Sequence, residues 1–212
     1  MRIEMQVQQE VYIMKISTRS ITLAATLTAL CAVTGFLPFV FFLPVMVAAT
    51  TLTIGMTAFV GLAFGCISIA YCFITPAASF AALGFIQAPY IAIFPRILAA
   101  IGAFGAYKLI HRICKPKNNV GQFAAVSVSA AIGSLLNTAL VVGMFVLILP
   151  NLSLNGVTML VAAPEMLISG AIECVCMAAL TPPISLTLNR VVQHDKDKKL
   201  RIDKTTTDNG KI

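Results

Sequence analysis

A chain of 212 residues that is 58% hydrophobic and 11% charged, with no Trp, is too apolar for a water-soluble domain, where about a quarter of residues carry charge. This excludes a soluble catalytic domain and points to an integral membrane protein. The formal charge of +7 gathers at 2–19, 108–117 and 190–211, and such clusters read as cytoplasmic flanks of spans rather than as a nucleic-acid surface.

Residues 1–19 form a charged N-terminal segment, within which Met14 is a more natural start than Met1. The first apolar run, 20 to about 42, exceeds a signal-peptide core and lacks a small-residue cleavage site, so it is expected to stay as a span. Its Ala25, Ala29 and Ala32 form one helical stripe that lets another helix come close. Interior packing and docking of a second subunit fit that stripe equally well. Pro38 and Pro44 bracket a turn, followed by a second span at 45–62 and a short third one at 64–74, joined through the uncharged segment at Gly61 and Gly65. Proline and small residues at 75–79 break the pattern. The segment 80–90, with Gly84, Gln87 and Pro89, reads as a loop folded against the protein.

A fourth span, about 91–107, carries Arg96, the only charged side chain between Arg19 and Lys108. Pro95 suits a first helical turn and would put Arg96 near a helix N-terminus. A guanidinium at membrane depth costs about 2.5–3.5 kcal/mol on insertion scales, so it marks a functional site with a partner to be found. An anionic ligand is the first candidate. Snorkelling to the headgroups and a structural ion pair are the competing readings.

The fifth span, about 120–149, places Gly133, Asn137 and Val141 on one face, with Thr138 beside the amide. After a turn at 150–156, the sixth span carries Glu165 and Glu173, and Thr181-Pro182-Pro183 should kink or interrupt it. The tail 193–212 reads as disordered. The expected fold is an all-α integral membrane protein with six transmembrane helices, 20–192 forming one substrate-binding domain and both termini cytoplasmic. Along straight helices, Arg96 lies roughly 18 Å from Lys108, Glu173 roughly 25 Å from Arg190 and Asn137 roughly 30 Å from Lys117. Across a hydrocarbon core of about 30 Å all three fall in the outer half. There they can converge on one outward-facing pocket for a small polar ligand bearing a carboxylate.

No GxSxG, HExxH or Walker A pattern is present, so neither an enzyme nor a self-contained pump is expected. Cys31, Cys66, Cys72, Cys114, Cys174 and Cys176 form no CxxC pair and read as small core residues rather than metal ligands or disulfides. No cofactor and no metal are expected.

The runs Phe64-Gly65-Cys66-Ile67-Ser68, Phe94-Pro95-Arg96-Ile97-Leu98, Gly133-Ser134-Leu135-Leu136-Asn137-Thr138-Ala139-Leu140-Val141 and Ser169-Gly170-Ala171-Ile172-Glu173 stand in that order. In order and spacing they resemble the substrate-binding S components of energy-coupling factor (ECF) vitamin transporters, nearest the pantothenate-type branch. The resemblance spans about 20–190. It implies a six-helix protein of the bacterial plasma membrane that captures a vitamin on the outer side and docks on a membrane scaffold subunit bearing two cytoplasmic ATPases. Arg96 would hold the carboxylate, with Asn137, Thr138 and Glu173 taking amide and hydroxyl groups and Gln87 and Tyr90 as further contacts. The family's AxxxA scaffold-docking motif falls on Ala25 and Ala29. Ser169 stands where the pantothenate-type pattern has Asn. Riboflavin or another vitamin is the alternative ligand. A stand-alone carrier with Glu173 as proton site, or an assembly protein with the polar residues as helix glue, is the alternative class.

Overall fold

The computed structural model describes residues 18–35, 40–74, 80–116, 118–151, 153–154 and 157–209, with the side chains of 19, 80–83, 154, 157 and 192–209 left aside. The expected N-terminal segment before Thr18, the turn at Pro38 and the break at 75–79 lie outside the described residues. Among the described residues seven helices follow in chain order: α1 (Thr18–Thr34), α2 (Leu43–Thr51), α3 (Ile54–Ile74), α4 (Phe80–Gln87), α5 (Pro89–Cys114), α6 (Asn119–Ile148) and α7 (Met159–Asn209). A two-residue antiparallel pairing, Ser153–Leu154 with Val157–Thr158, joins α6 to α7.

Four segments are long and apolar enough to cross a membrane by length and composition: α3, α5, α6 and Met159–Val191 of α7. Their outward positions are apolar too, among them Phe73, Leu109, Val120, Leu147 and Val175, as required where the solvent is lipid and helices are hydrophobic all round. The apolar part of α1 is shorter, Ser20–Thr34. Its exposed Thr22 and Thr26 hydroxyls donate to the carbonyls of Thr18 and Thr22, 3.0 and 2.9 Å away, which satisfies them without water.

The expected second and third spans are corrected. The chain breaks at Leu52, whose backbone is extended (φ −104°, ψ 176°), not at Gly61 to Gly65. Thr57 Oγ1 donates to the Ala48 carbonyl at 3.1 Å. These two residues lie four and five positions to either side of Leu52, so α2 and α3 fold back as a helical hairpin. At nine residues α2 rises only about 13 Å, under half of a hydrocarbon core, and it is buried from Leu43 through Thr50.

Gly61 and Gly65 lie inside α3, where they bring it against α5. A Cβ on Gly65 would sit 2.9 Å from Ile93 Cα, and one on Gly61 would sit 3.0 Å from the Arg96 carbonyl. The order of these contacts makes α3 and α5 antiparallel. Likewise Gly102 faces Leu136 and Gly133 faces Ala103, so α5 and α6 run antiparallel. Thr138 against Gly170, and the Cys174 thiol donating to the Ala131 carbonyl at 3.6 Å, do the same for α6 and α7. The Tyr71 hydroxyl donates to the Ala32 carbonyl, which sets α1 parallel to α3.

Direction therefore alternates through α1, α2, α3, α5, α6 and α7. Arg190 Nη2 donates to Asn119 Oδ1 at 3.3 Å, bringing the basic end of α7 beside the start of α6 and the neighbouring 108–117 cluster. α5 closes that end with Lys115 in the left-handed region (φ 41°), its N–H bonded to the His111 carbonyl. His111 and Arg112 in the last turn complement the helix dipole.

In α7 the expected interruption at the prolines is corrected. The helix runs on through Pro182 and Pro183, and its extent is Met159–Asn209. Thr187 Oγ1 donates to the Pro183 carbonyl at 2.7 Å. Each proline forfeits one backbone N–H, and flanking contacts carry the helix across. Beyond the span, Asp195 with Lys199 and Asp197 with Arg201 have the i,i+4 spacing that favours helix.

Candidate functional site

Helix α5 begins with Pro89 at its first position after Ala88, where the missing N–H costs nothing. Arg96 therefore lies in the third turn, not at the helix N-terminus expected from Pro95. Pro95 sits inside the helix, buried, and withholds the N–H that the Ile91 carbonyl would otherwise receive.

The Arg96 side chain is 3% exposed. Its guanidinium carbon lies 4.6 Å from the Phe85 ring centroid and 5.6 Å from that of Phe64, within range for cation–π attraction. Phe85 stacks on Phe145 at 5.5 Å, and Phe64 packs against Phe41 and Phe42 at 5.1 and 5.4 Å. Two rings thus box in one cation, and rings from two further segments back them. Arg96 Nε and Nη1 are buried without a hydrogen-bond partner. Rings offer no lone pairs in the guanidinium plane, so these donors are left for an acceptor that none of the described residues supplies.

Asn137 is 6% exposed and Ser134 fully buried, and Asn137 Oδ1, Ser134 Oγ and Glu173 Oε1 likewise have no partner. The helix contacts above give the axial order. Asn137 lies about one turn from Arg96, roughly 6 Å, and Glu173 about two turns, roughly 12 Å, both toward the basic end. Arg96 and Glu173 interact through space, yet among the described residues they form no ion pair. Met46 of α2 lies against Gly133, level with Glu173, and Thr50 Oγ1 donates to Ser185 Oγ at 2.8 Å farther down. Short α2 therefore fills the basic half of the bundle, reaching the level of Glu173, while Arg96 and Asn137 lie nearer the β-pairing that joins α6 to α7.

The remaining expected site residues divide. Thr138 is half-buried against Gly170, beside Asn137. Gln87 and Tyr90 are exposed, Tyr90 by 51%, and stand apart from the buried polar group. The reason is helical phase. Residues 80–87 are helix α4, correcting the expected loop, and the inward positions are Phe85, Ala88, Ile91 and Ala92. Ala25 and Ala29 are exposed while Ala24, Leu27 and Cys31 face the core, so the small-residue stripe is not interior packing. Ser169 is exposed, whereas Gly170 is buried, which puts the departure from the pantothenate-type pattern outside the interior.

Sequence reasoning missed Phe64, Phe85 and Ser134 as site residues. Ser134 was findable, since it lies three residues before Asn137 and shares its face. Phenylalanines among many others carried no signal. In comparisons with known proteins, no family model and no curated sequence matches this chain.

Proposed function

We propose that the protein is a substrate-binding component of a membrane importer, of the ECF S-component type. It captures a small water-soluble acid, best pantothenate, for uptake driven by a scaffold subunit and two ATPases. The observation that carries this reading is the buried Arg96, held between Phe64 and Phe85 with two donors unpartnered. A planar fork of free N–H groups in a water-poor site suits a carboxylate, which can accept two of them at once. Asn137 and Thr138, about one turn away, suit the amide and hydroxyl groups of such a ligand. The end carrying the β-pairing between α6 and α7 then faces outside and the basic end the cytoplasm of a bacterial cell. An impermeant thiol reagent should label a cysteine at Asn155 and spare one at Lys199.

The test is to purify the protein from cells, identify any co-purifying small molecule by mass spectrometry, and titrate with pantothenate and riboflavin. Absence of binding to any carboxylate-bearing vitamin would sink the reading. Uptake that persists without the ATPase subunits would favour a stand-alone carrier instead.

The exposed stripe at Ala25 and Ala29 is the proposed scaffold contact. Ala29→Leu removes the close approach that small residues allow while leaving the buried site untouched. Vitamin uptake in cells is expected to fall severalfold with the affinity of the purified protein unchanged. Equal loss of both would show that the stripe supports the fold and not docking.

A further inference from the structure

Three of the unpartnered oxygens form a second group, next to the Arg96 box and sharing Asn137 with the proposed ligand site. Ser134 and Asn137 are three residues apart and so share one face of α6. Across from them, Glu173 of α7 lies between two fixed contacts, Gly170 against Thr138 and Cys174 Sγ to the Ala131 carbonyl at 3.6 Å. Those contacts bracket 134 and 137 on one helix and 173 on the other. The layer thus presents a hydroxyl, an amide carbonyl and a carboxylate, with Ser134 Oγ, Asn137 Oδ1 and Glu173 Oε1 all buried and unbonded.

Nothing nearby neutralises the carboxylate by contact. Helices α2 and α6, both packed on α7, contain no ionisable side chain. Arg96 of α5 is engaged by the two rings about two turns away, and Cys174, the next residue of α7, is the other titratable group in reach among the described residues. Water would answer the hydrogen bonds but not the charge, and an uncompensated buried charge is strongly destabilising.

We propose that Glu173, Ser134 and Asn137 form a site for a monovalent alkali cation between α6 and α7. All three donors are hard oxygens, the class that takes such ions, and one carboxylate balances one positive charge. Transition metals are a poorer match, since among the described residues no three His, Cys, Asp or Glu side chains cluster. Combined with the proposed function, the site has a consequence. Arg96, Glu173 and a ligand carboxylate sum to −1, and the cation brings the buried assembly to zero. By linkage, cation and ligand then tighten each other's binding to the same degree.

The deciding measurement is thermal unfolding of the purified, ligand-free protein at constant ionic strength in sodium, potassium or N-methyl-D-glucamine chloride. Sodium or potassium at about ten times its dissociation constant is expected to raise Tm by about 3–6 °C over the organic cation. That rise should saturate, vanish in Glu173→Gln and shrink in Ser134→Ala, the latter serving if the former does not fold. Equal Tm in all three salts, or an undiminished rise in both variants, overturns the site. A shift that follows pH alike in every salt and is lost in Glu173→Gln assigns the layer to a proton and overturns it too. Failure of pantothenate to bind while sodium stabilises the protein would refute the vitamin reading and leave the cation site standing.

Discussion

Arg96→Met is expected to fold as well as the natural protein and to lose pantothenate affinity by roughly thirtyfold or more, the effect of truncating one partner of a desolvated charge pair worth about 2–5 kcal/mol. Methionine follows the path of the arginine stem and makes sulfur contacts with aromatic rings, so the box of Phe64 and Phe85 stays filled. The variant also removes two buried donors that have no partner. An unmet donor costs about 1–3 kcal/mol, which offsets the lost cation–π attraction of about 0.5–2 kcal/mol. The rival view makes Arg96 the structural partner of Glu173. It requires Arg96→Met to be unstable and Glu173→Gln to rescue it, but no ion pair joins the two among the described residues. Thermal stability and pantothenate affinity of Arg96→Met, alone and with Glu173→Gln, separate the two views. Unchanged affinity in a folded Arg96→Met protein would remove Arg96 from the site. Arg96→Lys should not restore binding, because a lysine cannot present two coplanar donors.

The second large effect belongs to Gly65. A Cβ there would lie 2.9 Å from Ile93 Cα and 3.1 Å from the Ala92 carbonyl oxygen. These are backbone atoms that cannot rotate away, so α3 and α5 must separate. That separation moves Phe64 off the Arg96 that it covers. Gly65→Ala should cost about 1–3 kcal/mol and weaken ligand binding with it, and Gly65→Leu should not accumulate as folded protein. Gly105, where a new Cβ meets nothing within 4 Å, supplies the control. Gly105→Ala should keep binding and gain up to about 1 kcal/mol from helix propensity. Comparable damage at both positions, read by Tm, would mean that close contact with α5 is not what Gly65 provides.

Arg96 was legible as a focus because it is the lone charge in a long apolar stretch, and burial cost makes such a residue conspicuous whatever the fold. The face carrying Gly133, Asn137 and Val141 was legible too, since a single uninterrupted helix preserves its period and all three are buried. The boundaries were less so. Gly61 and Gly65 looked like punctuation, yet they are close-packing positions, and the true break falls at Leu52, an ordinary residue. In a chain that is apolar on every side, no polar face contrasts with the core to mark where a helix ends. Gln87 at the end of α4 and Tyr90 at the start of α5, given as contacts by the resemblance, lie on outward positions of their helices.

Membrane residence follows from residue content and a helical build from the long unbroken apolar runs, because lipid accepts only helices or closed barrels and barrel strands are short and alternate. The neighbours of Arg96 do not. Phe64 and Phe85 reach it from two other helices, and Glu173 comes level with Ser134 and Asn137 only through the antiparallel packing of α6 and α7. Those juxtapositions depend on which helices small residues allow to touch and at what register. Contact of that kind is set by the assembled bundle, where a side chain's neighbours come from distant parts of the chain.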